Sequence, residues 1–263
     1  MDMDGTLLTN TNEISQRNKE AIHMIINQGV KVFLATGRQY DITVPYYEQL
    51  KLKTPMICLN GAALYDGYTG KLIQKKPVKI NHDLFHRKTA EEACNVIIHT
   101  EAGMYCKERS EEVIQWTLEG RVPPQYIGDL RQASYGDVLK YSVNTGKVSL
   151  SLAMPFTKDA DVIHWDNGFE LIARGVSKWS AIHTLICAYG IRREEVVTIG
   201  DGPNDISMLR HAGLGVAMGN ATKNVKANAD MIIGHHDEDS LAVFIEDYLI
   251  NSYSMNLGKT DMR

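Results

Sequence analysis

Short apolar runs of strand length alternate with amphipathic stretches of helix length over the first and last parts of the chain. Ala21, Ile22, Ile25 and Ile26 recur at helical spacing, which predicts a helix from a Ser15 cap to about Gln28, with Gly29 placed to end it. Residues 30–35 and 56–59 are apolar runs that predict buried strands. A helix is expected between them over 42–50, and Pro45 suits that helix only in its first turn. After residue 175 the same texture returns. It predicts a helix from Lys178 to Tyr189, a strand over 196–199, a helix to about Ala212, strands over 214–218 and 231–233, and a last helix over 240–250. Strand–helix alternation of this kind predicts an α/β fold with a doubly wound, mostly parallel sheet.

Between these parts the pattern changes. Short strands are expected at 72–73 and 78–80, a helix from an Asn81 cap through His99, a strand at 104–107, a helix at 111–118 and a loop at 122–124. Strands are expected at 139–143 and 147–154. Two more, at 162–165 and 169–173, flank Asp166-Asn167-Gly168, whose Asn-Gly pair signals a hairpin. The middle therefore reads as an inserted α+β domain. The expected division is a core of 1–63 and 175–250, an insert of 64–174, and a tail of 251–263 whose lack of periodicity predicts mobility.

Composition narrows the class. Hydrophobic residues make up 44% of the 263 and charged residues 23%, as in soluble globular proteins. The net charge of −4 comes without a basic block, so no nucleic-acid partner is expected. No apolar run approaches the roughly 20 residues that span a bilayer, so no membrane partner is expected. The acidic start does not read as a secretory leader. Cys58, Cys94, Cys106 and Cys187 lack metal-type spacing, which predicts reduced thiols and a cytoplasmic location. Nothing in the pattern fixes an oligomeric state.

Candidate chemistry stands at the ends of the predicted strands. Asp2 and Asp4 lie one residue apart before the Gly5 turn. Such a pair can hold a hard cation, can divide the work of nucleophile and general acid/base, or can be a solvated turn. Thr36-Gly37 ends a predicted strand and offers a hydroxyl and backbone N–H groups, where open α/β sheets place ligands. It also reads as a plain turn. Lys178 opens a helix, where the helix dipole mildly disfavours a cation. Asp201, Asn204 and Asp205 follow the strand at 196–199, and Asp205 also reads as a helix cap. Arg38 reads equally as a surface residue or a substrate contact. His82 and His86 have a zinc-like spacing without a third ligand nearby, and His235-His236 reads as an exposed loop.

Taken in order, Asp2-Met3-Asp4-Gly5-Thr6-Leu7, Thr36-Gly37-Arg38, Gly175-Val176-Ser177-Lys178 and Gly200-Asp201-Gly202-Pro203-Asn204-Asp205 resemble the four motifs of the haloacid dehalogenase (HAD) superfamily. Asn60-Gly61 and the run 212–221 make the chain similar to its Cof-type, class IIB phosphatases. The resemblance covers residues 1 to about 250 and implies that the insert is a cap domain. It implies an Mg²⁺-dependent phosphatase acting on a small phosphorylated metabolite, a sugar phosphate or phosphorylated cofactor. Asp2 is the implied nucleophile, forming an aspartyl-phosphate, and Asp4 the general acid/base. The implied metal ligands are the side chains of Asp2 and Asp201 and the backbone carbonyl of Asp4. Thr36, Gly37, Arg38, Lys178 and Asn204 are the implied phosphate and substrate contacts. Asp205 is implied to orient Lys178 or a metal-bound water. A phosphomutase on the same scaffold and a catalytically weak binding or regulatory module are the alternatives.

Three features depart from the family pattern. Only Met1 precedes Asp2, where relatives have an apolar strand, so the numbering is expected to begin inside a longer natural protein or at a misassigned start. Trp179 follows Lys178 where a small residue is usual. The insert is short between Lys147 and Val162.

Overall fold

A computed structural model of the chain describes residues 1–146 and 150–250. Helices α1 (Gln16–Asn27) and α2 (Tyr40–Gln49) precede strands β1 (Met56–Cys58), β2 (Ala63–Tyr65) and β3 (Leu72–Lys75). Then come α3 (His82–Ala90), β4 (Asn95–Thr100), β5 (Gly103–Cys106), α4 (Glu111–Gly120), β6 (Tyr126–Ile127), β7 (Val138–Asn144) and α5 (Leu150–Ala153). The chain continues through β8 (Ala160–Trp165), β9 (Gly168–Ala173), α6 (Lys178–Tyr189), β10 (Val197–Gly200) and α7 (Ile206–His211). It ends with β11 (Leu214–Ala217), α8 (Lys223–Lys226), β12 (Met231–Ile232) and α9 (Ser240–Phe244). The fold is the expected α/β type, and the chain divides into two compact units.

The first unit draws on Met1–Ala35, Tyr46–Thr54 and the chain from Ile186 onward. Its parallel sheet runs β10–β11–β12, with Ile199 beside Val216 and Val216 beside Met231. The chain start lies along β10, because the Asp2 N–H donates to the Ile199 carbonyl at 2.9 Å. Met3, Leu7 and Leu8 are buried around it. The Ser15 hydroxyl caps α1 at Asn18 as expected, and Gly29 ends it with φ +90°. Residues 30–35, predicted as a strand, are not a named strand. The ladder bonds they show are to Met1, whose amino group donates to Phe33 O at 2.8 Å and whose carbonyl accepts from Ala35 N–H at 2.9 Å.

The second unit comprises Thr36–Pro45 and Pro55–Leu185. It holds the antiparallel set β1–β2–β3 and a six-stranded sheet in the order β6–β5–β4–β7–β9–β8. Alternation along these strands sorts their faces. Val96, Ile98, Tyr141, Val143, Phe169 and Leu171 pack with Phe85 of α3. Ile97 packs with Ile42, Met104, Cys106 and Val113. The β8–β9 hairpin closes as the Asn-Gly signal predicts, with Trp165 paired to Gly168.

Several boundaries differ from expectation. The helix from Asn81 stops at Ala90, and Asn95–Thr100 becomes β4, since Val96, Ile97 and Ile98 are buried on both sheet faces. Pro45 sits in the second turn of α2, not its first. Of the strand expected over 147–154, 147–149 lies outside the described residues and Leu150–Ala153 is helical. Residues 78–80 form no strand, although Val78 N–H bonds Val138 O at 2.7 Å. The tail 251–263 lies outside the described residues.

Candidate active site

In the first unit, backbone geometry gathers carboxylates. Asp2 follows Met1 alongside β10, and Asp201 follows the last residue of β10. One ligand oxygen from each of Asp2, Asp201 and Asp205 lies within 4.8 Å of the others. Asp2 is 4% exposed and Asp205 0%. Like charges this close and this buried repel, so specific donors have to hold them. The Thr6 hydroxyl donates to Asp201 Oδ1 at 3.1 Å, and the Asn220 amide to Asp201 Oδ2 at 3.0 Å and to Gly5 O at 2.8 Å. Asp205 Oδ2 accepts the N–H groups of Asp201 and Gly202 at 3.0 and 2.9 Å, so this residue does hold the start of its own helical turn.

Two glycines make the gathering sterically feasible. Gly5 has φ +66°, and a Cβ there would run into the Asp201 carboxylate. A Cβ on Gly200 would likewise meet the Asp205 carboxylate. Asp4 lies beyond the cluster as an exposed side chain, and Asn204 is half-buried in the turn Pro203–Asp205. Oxygen donors in a buried anionic group suit a hard divalent cation, so the residues present fit Mg²⁺.

In the second unit, Thr36, Gly37 and Arg38 form a fully braced turn. Thr36 N–H donates to Ile57 O at 2.9 Å, Asn60 N–H to Thr36 O at 2.9 Å, and Leu59 N–H to Arg38 O at 3.0 Å. The Arg38 N–H donates to Thr36 Oγ1 at 3.0 Å. Among the described residues, no acceptor takes the Thr36 hydroxyl proton or the Gly37 N–H. The turn therefore carries two uncommitted donors. Arg38 is not a surface residue. It is 5% exposed and ion-paired with Glu119 of α4.

Lys178 is the first residue of α6 and fully buried. Reciprocal bonds fix that helix start: Ser180 N–H to Ser177 Oγ at 3.1 Å, and Ser177 N–H to Ser180 Oγ at 2.9 Å. Trp179 pairs its ring with His183 one turn on.

Other candidates resolve as structure. His82 and His86 bond tyrosine hydroxyls, His82 Nδ1 with Tyr141 at 2.6 Å and His86 Nε2 with Tyr135. Burial holds both imidazoles below their ordinary pKa. His236 is buried, not exposed, and its Nδ1 pairs with Leu8 O at 2.7 Å. All four cysteines are free, and burial pushes the Cys58 thiol up to about 12. No described helix is long and apolar enough to cross a membrane.

A family model described as haloacid dehalogenase-like hydrolase matches residues 1–245. The chain belongs to that family. Its expected membership of the Cof-type, class IIB group holds as well. It is 29% identical to the 5-amino-6-(5-phospho-D-ribitylamino)uracil phosphatase YitU of Bacillus subtilis, over 94% of this chain and 96% of that one. It is 29% identical to the pyridoxal phosphate phosphatase YbhA of Escherichia coli, over 95% and 97%. A solved HAD subclass IIB sugar phosphatase superposes with a TM-score of 0.81 at 27% identity, over 94% of this chain and 96% of that one. A haloacid dehalogenase-like hydrolase from Bacteroides thetaiotaomicron gives 0.78 at 27%, over 93% and 96%.

Of the residues that steady the carboxylate cluster, sequence reasoning passes over Thr6 and Asn220. Thr6 and Asn220 stood inside quoted motifs.

Proposed function

We propose that this phosphoric monoester hydrolase of the HAD type removes phosphate from a small phosphorylated metabolite through an aspartyl-phosphate on Asp2. The observation that carries the reading is the buried cluster of Asp2, Asp201 and Asp205. An Asp2 oxygen attacks phosphorus in line, and the bond from phosphorus to the leaving oxygen breaks as Asp4 gives that oxygen its proton. Asp4 then takes a proton from water, whose oxygen attacks the same phosphorus. The phosphorus–Asp2 bond breaks and inorganic phosphate leaves. The contrast in solvation supports the division of labour: Asp2 is buried and Asp4 exposed, able to exchange protons with water.

In this reading the side chains of Asp2 and Asp201 and the backbone carbonyl of Asp4 would hold Mg²⁺, which would supply positive charge beside the phosphoryl group. Thr36 hydroxyl, Gly37 N–H and the Lys178 ammonium bind its outer oxygens, as phosphoryl transfer requires. Asn204 and Arg38 contact phosphate or substrate, and Asp205 orients Lys178 or a water. The domain division belongs to the same reading: a core of 1–63 and 175–250 does the chemistry and a cap of 64–174 selects the substrate. The activities named for YitU, YbhA and the sugar phosphatase support a sugar phosphate or a phosphorylated cofactor as substrate class. The four free thiols support a cytoplasmic location.

The test is phosphate release from a panel of small phosphomonoesters, with and without Mg²⁺, for the wild-type chain and Asp2→Asn. Metal-dependent release that the variant loses is expected. Equal release by the two proteins would sink the nucleophile assignment, and isomer formation without phosphate release would make the protein a mutase.

A further inference from the structure

The sheet face of the second unit that carries Ile97 and Ile172 also carries His99, Lys140, Ser142 and Glu170, by the pairing of β4, β7 and β9. Four polar side chains on one strand face ordinarily look to solvent. Here Lys140 is 2% exposed and His99 1%. Lys140 Nζ is ion-paired with Glu170 and donates to the Gly37 carbonyl at 2.8 Å. Glu170 accepts from the Asn60 amide at 2.8 Å and from the Ser142 hydroxyl at 3.3 Å. His99 bridges Ser142 and Gln39, at 3.1 Å to each.

A buried ion pair is weak evidence for stability, because well-packed apolar residues of similar volume often hold a fold equally well. The pair therefore calls for another reason, and its contacts supply one. It reaches the two pieces of backbone that shape the Thr36–Gly37–Arg38 turn. One is the Gly37 carbonyl itself. The other is Asn60, which follows Leu59 in positive φ, at +57° and +51°. Two successive non-glycine residues in that region are strained and persist only when the surroundings fix them. Gly37 C=O and Arg38 N–H share one peptide plane, so holding the carbonyl on Lys140 also sets the Arg38 N–H that fills a lone pair of Thr36 Oγ1. With that lone pair taken, the Thr36 hydroxyl is turned to donate.

We infer that Lys140, held by Glu170, is a positioning residue. It locks the Gly37–Arg38 peptide so that the Thr36 hydroxyl, beside the Gly37 N–H, is presented as a donor for a phosphoryl group. The inference rests on the proposed phosphatase reading. Lys140 need not touch substrate, and its influence passes through the peptide plane.

The test uses the full chain with the pair neutralised, Lys140→Met with Glu170→Gln, which leaves no unpaired charge and keeps an acceptor for Asn60. Thermal unfolding checks that the variant folds, and Glu170→Gln alone keeps the lysine as a second variant. Binding of inorganic phosphate is followed at the Gly37 and Arg38 backbone amides by NMR, alongside kcat and KM. The double variant should bind phosphate about tenfold or more weakly, with KM raised and kcat/KM lowered by at least that factor, at a preserved melting temperature. Glu170→Gln alone should retain more of both. A folded double variant within about twofold of wild type in phosphate affinity overturns the inference, as does a wild-type chain whose Gly37 and Arg38 amides ignore phosphate. A wild-type chain that binds phosphate there but hydrolyses no phosphomonoester would instead defeat the phosphatase reading and leave the positioning role standing on the binding difference.

Discussion

The carboxylate cluster of the first unit and the Lys140–Glu170 pair of the second bury charge in opposite ways. Asp2, Asp201 and Asp205 bring one sign of charge together, and among the bonds that steady them are neutral donors: a threonine hydroxyl, an asparagine amide and two backbone N–H groups. Such donors lower the cost of burying the charge without cancelling it, which keeps an attraction for a cation. Lys140 and Glu170 cancel within the pair, and their further hydrogen bonds go to a backbone carbonyl, an amide and a hydroxyl. The first arrangement is built to receive something and the second to hold something still. The two should therefore fail differently when broken: the cluster in turnover, the pair in stability as well.

The largest effect tests the cluster. Asp2→Asn keeps size and burial while removing the attacking oxyanion, and should lower turnover on the order of 10⁴-fold or more. Its melting temperature should stay close to wild type, because one buried like charge has gone. A large drop in melting temperature would mean that the Asp2 charge is structural. Next comes the pair. Lys140→Met alone strands Glu170 in a site where its side chain is 12% exposed, and should cost about 3–5 kcal/mol of unfolding free energy. Adding Glu170→Gln should restore most of it. Denaturant unfolding of the three proteins gives the comparison, and a double variant no better than the single would show that packing, not charge, holds this face.

The cluster and the pair also differ in how well the amino-acid sequence discloses them. Asp2, Asp4, Asp201 and Asp205 are legible because they stand in short glycine-containing turns, Asp4 before Gly5 and Asp201 between Gly200 and Gly202, and turn chemistry of that kind is local. The six-stranded sheet was half legible. The β8–β9 hairpin follows from Asn167-Gly168, whereas the residues of β4 read as a continuation of the helix that precedes them. Asn95–Thr100 has strand-forming residues and no alternation to mark it, because both of its faces are covered. The β7–β9 face misleads for a different reason. Leu139, Tyr141 and Val143 alternate with Lys140 and Ser142, and that pattern is the same whether the polar face meets water or a buried turn. Only tertiary contact with Gly37 and Asn60 separates the two cases. Residues 30–35 read as a strand on composition, yet a strand also needs partners along its length, and the ladder bonds it shows are to Met1.

A smaller effect returns to the cluster. Gly5→Ala forces a Cβ toward the Asp201 carboxylate at a residue with φ +66°. Strain of that kind costs about 1–3 kcal/mol. Because the clash falls on the carboxylate, Mg²⁺ should also protect the variant less than wild type against thermal unfolding. Equal protection in the two proteins would mean that Asp201 contributes little to cation binding.

The smallest expected effect concerns His99, which sits on the same face as Lys140. Burial, and after it the Lys140 charge, hold this imidazole well below its ordinary value of 6.5. His99 is therefore neutral in the folded chain over the physiological range. A neutral ring has one N–H, and with Gln39 Oε1 as acceptor that proton belongs on Nδ1. The sign of the pH effect follows from linkage. Above pH 6.5 neither folded nor unfolded chain protonates this ring, and it leaves stability unchanged. Below 6.5 the unfolded chain binds a proton that the folded chain refuses, so stability is lost as pH falls toward the depressed folded value. His82 and His86, also held low by burial, act in the same direction. One histidine contributes at most about 1.4 kcal/mol per pH unit in that window. Unfolding free energy measured between pH 7.5 and about 5 should decline more steeply for wild type than for His99→Gln, whose amide keeps a donor and an acceptor without titrating. Parallel curves for the two proteins would mean that His99 takes up its proton in the folded state, and the face it shares with Lys140 would then admit a second positive charge.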